Sequence, residues 1–204
     1  HLELQRYFGI REPLCGQNAM EVYEACNKGL ARPDMSARSI IKKSNVRLIC
    51  TTDDPVDDLK SHEKIEADST FDVTVLPTFR PENLMNPHKS EFLPYLMQLE
   101  SVCGFKIDTM DKLRLALEKR MDYFDAHGCL VSDHALESFI YAEASEEELN
   151  KILSKARDGC TLDQMEIEKF QTAVLMIAAK EYHKRNWVMQ LHFSRIRNNS
   201  AKMQ

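Results

Sequence analysis

Residues 71–81 read FDVTVLPTFRP, from Phe71 to Pro81. Val73, Val75 and Leu76 make a short β-branched and apolar run, and Pro77 and Pro81 close it, since proline cannot donate to a sheet ladder. The stretch therefore predicts a buried strand running into a loop. Arg80 stands just past that strand, between the two prolines, so its position is set before any ligand arrives. Its planar guanidinium matches a carboxylate or a phosphate. Taken alone, the more ordinary role for Arg80 is structural: pairing with a nearby Asp, or capping carbonyls.

Working outward, VRLICTTDDP (Val46 to Pro55) is a second apolar strand, ending in hydroxyls and two carboxylates, and a helix follows from about Val56 to Ala67. Asn18 marks the start of a helix over Ala19–Leu30, and Ser36 starts a short one through Lys43. Residues 1–16 show no clear period. Downstream, Ser90 begins a helix to about Val102 that Gly104 ends. Thr109 caps another, in which Leu113, Leu117, Met121 and Phe124 recur at helical spacing before Gly128. Cys129–Ala135 is a third strand and Trp187–Phe193 a fourth. Ser145 with Glu148, and Thr161 with Gln164, fit capping boxes for two helices between them.

Apolar strands separated by helices predict an α/β fold with a parallel sheet and right-handed crossovers. Ligands gather at the carboxyl ends of such strands. All four ends are polar here: Asp53 and Asp54, Arg80, Asp133 and His134, and His192. Arg80 would bind an anionic group. His134 and His192 could carry protons near neutral pH or ligate a metal. Asp53, Asp54 and Asp133 could orient a histidine, bind hydroxyls or cap a following helix, and capping is the ordinary role for Asp54-Pro55. Each histidine has its own plain alternative, a hydrogen-bonded residue at the core edge. His62, His88, His127 and His183 fall on helices or turns and are expected in solvent.

The chain has 204 residues, 43% hydrophobic and 29% charged, with a formal net charge of −5. That is ordinary for a globular chain and, without a Lys/Arg block, argues against nucleic-acid and anionic-membrane surfaces. No apolar run approaches the roughly 20 residues a bilayer span requires. The cysteines at 15, 26, 50, 103, 129 and 160 are scattered, without a CxxC pair, and suit reduced cytoplasmic thiols. Cys50 and Cys129 lie in apolar runs and are expected to be buried. HxH, HExxH and glycine-rich phosphate loops are all missing from the sequence, so the residues themselves predict no metal site.

HLELQRYFGI (1–10), SNVRLICTTDDPVDDL (44–59), VLPTFRPENLMN (75–86), HGCLVSDHAL (127–136) and WVMQLHFSRIRNN (187–199) resemble, in the same order, segments of the uronate (glucuronate) isomerases. These enzymes belong to the amidohydrolase superfamily of (β/α)8 TIM-barrel proteins. The resemblance implies aldose–ketose isomerisation of hexuronates: D-glucuronate with D-fructuronate, and D-galacturonate with D-tagaturonate, by proton transfer through an enediol. It implies that Arg80, Arg197 and Asp54 bind a uronic acid and that His192 and His134 serve catalysis. It places the family's H-x-H metal pair before His1 and its strand-eight aspartate after Gln204. The expectation is therefore an excerpt: one partial barrel domain over residues 1–204, about half a barrel (strands two to five), with helical segments near 17–44 and 89–127. No cofactor is expected in this chain. The resemblance leaves room for a divalent metal such as zinc in the full-length family, and for a homo-oligomer. Where family members carry a glycine-containing run after the fifth strand, this chain has Ser194 and Arg195. Other readings are a metal-dependent hydrolase of the same superfamily and a non-catalytic fragment without the metal ligands.

Overall fold

The computed structural model describes residues 1–136, 140–193, 200 and 202. Its elements, in chain order, are α1 (Leu2–Phe8), α2 (Ala19–Leu30), α3 (Ala37–Lys43), β1 (Leu48–Cys50), α4 (Lys60–Glu66), β2 (Thr74–Leu76), α5 (Phe92–Cys103), α6 (Met110–Ala126), β3 (Val131–Ala135), α7 (Glu146–Arg157), α8 (Gln164–Lys184) and β4 (Val188–His192). The chain divides into two compact units. One comprises residues 1–49 and 69–74, the other 50–68 and 75–204.

The first unit is helical. Phe8 packs on Gly29, where an added Cβ would lie 2.8 Å from the ring, so a larger residue there would collide with it. Val22, Met35 and Val73 are its buried apolar residues. Arg38 and Lys42 stand over the Phe71 ring, and Lys42 also donates to the Thr70 carbonyl at 2.8 Å. Helix α1 was not signalled by any period in the sequence. It has no buried residue, and Gly9 closes it at φ 72°.

Strand β1 pairs with β2. Three parallel connections order the second unit: Asp53 bridges Phe79, Phe79 bridges Ser132, and β3 pairs with β4 from Val131↔Val188 to Ala135↔His192. The strands thus lie side by side in chain order, in the α/β arrangement expected.

Side chains alternate across a strand. Phe79, Ser132 and His134 face the helices, whereas Arg80, Asp133, Gln190 and His192 fall on the opposite face. Phe79 is fully buried and meets the rings of Phe124, Trp187 and Tyr182 at 5.1, 6.0 and 6.1 Å. Leu113, Leu117, Met121 and Phe124 of α6 are buried with it, and so are Phe170, Val174 and Ala178 of α8.

Side-chain caps start four of the eight helices. The hydroxyls of Ser36, Thr109 and Ser145 accept from backbone N–H groups three residues on, each at 3.2 Å. Three starts differ from expectation. Helix α4, expected from about Val56, begins at Lys60. Asn18 precedes α2, but its side chain turns back to Cys15 N and Pro13 O. Helix α8 is capped by Asp163 with Glu166 in a reciprocal box, not by Thr161 with Gln164. Cys129 is buried as expected, whereas Cys50 is exposed.

Candidate functional site

Main-chain bonds fix the end of β2. Arg80 N donates to Asp53 O at 3.0 Å, Asp53 N to Thr78 O at 3.0 Å, and Asp133 N to Phe79 O at 3.0 Å. The Arg80 side chain therefore leaves a backbone anchored on both sides. Its Nη1 donates to Asp133 Oδ2 at 3.2 Å and its Nε to Glu82 Oε2. Glu82 accepts from Ala135 N through its other oxygen, which staples the loop after β2 to the end of β3.

Asp133 is shared. Its second oxygen lies 2.8 Å from Nδ1 of His192, and His192 Nε2 lies 3.1 Å from Nε2 of Gln190. Gln190 can only donate through its amide nitrogen, so His192 Nε2 is the acceptor in that contact. The result is a line, Glu82–Arg80–Asp133–His192, on one face of three neighbouring strand ends. His192 is the most open of them, its side chain 57% exposed against 13% for Asp133. It is open to a bound molecule, while Asp133 binds the cation through Oδ2 and sets Oδ1 against the imidazole.

Asp54 sits on the same rim. Its carboxylate accepts from Val56 N at 3.1 Å, Tyr95 Oη at 2.8 Å and Asn83 Nδ2 at 2.8 Å. Burial raises its pKa, and those three hydrogen bonds pull in the opposite direction. The turn-capping role and a place on the rim are both present.

His134 is not brought to this cluster. It lies one residue from Asp133 and thus on the other face, fully buried, with its ring 5.6 Å from that of Tyr182. Neither ring nitrogen has a hydrogen-bond partner among the described residues. Burial holds its pKa down at about 4, so the imidazole is neutral. Arg197 lies outside the described residues.

His62, expected in solvent, is buried instead. Its Nε2 lies 2.8 Å from Thr51 Oγ1, and that hydroxyl donates to Asp53 Oδ2 at 2.6 Å. Asp53 also accepts from Thr78 N, so this carboxylate is committed to the joint between β1 and β2.

Glu82 and Gln190 escaped the sequence reading. The signal for Gln190 was its alternation with His192 along one strand, and for Glu82 its place two residues after Arg80. Among the described residues no three His, Cys, Asp or Glu side chains converge as a metal site. His192 and Asp133 offer two such donors, too few to fit a resident metal by themselves. A separate concavity of about 520 Å³, lined by residues such as Tyr141, Lys169 and Lys180, lies on α8 and holds none of the expected site residues.

A family model described as glucuronate isomerase matches residues 1–204. The chain belongs to the glucuronate isomerase family. A uronate isomerase from Lachnospira eligens is 50% identical over 200 residues, covering 98% of this chain and 43% of that protein. One from Caldanaerobacter subterraneus is 45% identical over 203 residues, covering 100% of this chain and 44% of the relative. A crystal structure of uronate isomerase from Thermotoga maritima superposes with a TM-score of 0.86 at 34% identity, over 95% of this chain and 42% of that one. A glucuronate isomerase from Caulobacter crescentus, at TM-score 0.85 and 21% identity over 98% of this chain and 41% of that one, shares the fold. This glucuronate isomerase family chain thus spans about two-fifths of the length of the curated relatives it matches. Among its described residues no helix is long and apolar enough to cross a membrane.

Proposed function

We propose that this chain supplies the carboxylate-holding side of a hexuronate isomerase site. The observation that carries the proposal is Asp133 standing between the Arg80 guanidinium, which donates to one oxygen, and the His192 imidazole, 2.8 Å from the other, at adjacent strand ends. Every hexuronate presents a carboxylate, which a fork such as Arg80 receives through paired charge-assisted hydrogen bonds. Aldose–ketose exchange then requires the proton at C2 to leave, an enediol to form, and C1 to gain a proton while a hydroxyl proton crosses between oxygens. His192, exposed and backed by a carboxylate, is the group here suited to moving a proton. Arg80, Asp54 and Arg197 are assigned to substrate binding. His134 is assigned to packing against α8 rather than to the proton path, because its ring faces away from the cluster.

The finer reading of the fold is a (β/α)8 barrel in which β1 to β4 stand as strands two to five of one domain. Family membership and parallel strands in chain order support it. A divalent metal and a homo-oligomer belong to the same reading of the longer proteins, and a cytoplasmic location accords with six free cysteines.

The test is isotopic. A longer polypeptide carrying residues 1–204 is incubated with D-glucuronate in D2O, and the products are read by NMR. Ketose product with deuterium entering at the exchanging carbon is expected. A hydrolysis product, or no product and no deuterium uptake, overturns the proposal.

A further inference from the structure

The loop after β1 is held from beneath by a buried cation. Arg120, in the middle of α6, is 7% exposed, and its pKa is lowered by burial. It makes no ion pair with a carboxylate among the described residues. Its Nε donates to Pro55 O at 2.5 Å and its Nη2 to Asp57 O at 2.8 Å, while the guanidinium lies 4.3 Å from the centroid of the Tyr123 ring. Tyr123 donates to Asp58 O at 2.6 Å. A buried charge met only by neutral carbonyls and a ring face is costly unless those contacts are well placed. What they secure is the run Pro55–Asp58, directly after Asp54. From α5, Tyr95 reaches Asp54 itself.

We propose that Arg120 is a positioning residue: by gripping the carbonyls of Pro55 and Asp57 from α6, it sets the loop so that Tyr95 and Asn83 hold the Asp54 carboxylate on the rim that carries Arg80. The importance of that rim rests on the isomerase reading, but the grip itself does not. Arginine suits the task because its planar guanidinium sets donors in a rigid fork across two carbonyls, whereas lysine carries a compact ammonium on a flexible stem. The titratable groups around this grip are Asp54, Asp57, Tyr95, Tyr123 and Cys103.

The experiment uses the 204-residue chain with Arg120→Met and Arg120→Lys, followed by amide hydrogen exchange and ¹³C NMR titration of the Asp54 carboxyl. In Arg120→Met, exchange at residues 56–58 should rise tenfold or more while α6 and α8 keep their protection. The Asp54 pKa should fall toward the ordinary carboxylate value as burial is lost. Arg120→Lys should restore most of the Asp54 titration; if the methionine variant fails to fold, the lysine variant alone still reads an exchange increase confined to the loop. Unchanged loop exchange, or an equal increase through α6 and α8, overturns the proposal. D-glucuronate affinity of the unmodified chain, measured by calorimetry, is a separate arm. Its absence counts against the substrate reading and leaves the exchange result standing.

Discussion

Replacing His134 with leucine should make the protein less sensitive to acid. The imidazole is fully buried and its pKa lies near 4 against an ordinary 6.5. Between those values the unfolded chain binds a proton at His134 and the folded chain does not. The unfolded state therefore binds more protons, and stability falls as the pH drops through that window. About 2.5 pKa units correspond to about 3 kcal/mol. Leucine is of similar volume and has no nitrogens to leave unpartnered, so it should also add about 1–2 kcal/mol at pH 7. The assay is urea unfolding of the chain at half-unit steps from pH 7.5 to pH 4. Carboxylates titrate in both proteins, so the difference between the two curves isolates His134. It should widen by about 3 kcal/mol between pH 6.5 and pH 4. Parallel curves would refute both the burial argument and the placement of His134 on the helix-facing side.

Other outcomes follow from the same geometry. Arg80→Ala, in a longer polypeptide carrying this chain, should weaken uronate binding by about 2–4 kcal/mol, seen as a raised KM; an unchanged KM and kcat would remove the carboxylate role. His192→Asn should lower kcat by far more than it lowers Tm, because the ring is exposed and holds no core. Phe79→Ala should cost about 3–5 kcal/mol in urea unfolding, since it empties the space among three aromatic rings. Asp163→Ala should cost about 1 kcal/mol and Thr161→Ala almost nothing, which distinguishes the observed cap of α8 from the expected one.

Helices with strong end signals were legible from sequence: α2, α3, α5, α6 and α7 begin or end within a residue or two of their Asn, Ser, Thr or Gly markers. Near α8, Thr161-x-x-Gln164 and Asp163-x-x-Glu166 both fit the box pattern. The second prevails because Glu166 accepts from Asp163 N while its other oxygen takes Lys155. The site was legible as a set of strand ends but not as faces. Asp133 and His134 are neighbours in sequence, and an offset of one residue in a strand sends a side chain to the opposite side. The bridge between Phe79 and Ser132, with the bond from Arg80 to Asp133, shows which of the two meets Arg80. His62 was misjudged because a histidine on a short helix gives no hint of Thr51 and Asp53 beneath it. The pairing of Arg80 with Glu82 and Asp133 keeps the ordinary structural role alive beside the binding role, since one guanidinium can serve both.

That double pairing has a kinetic consequence. With two acidic neighbours already against it, the Arg80 cation projects little field into solution. An approaching sugar acid is not drawn in from afar; it wins its place by trading contacts at short range. Capture rates should then vary only weakly with ionic strength, unlike those of sites whose bare positive charge guides ligands over a Debye length.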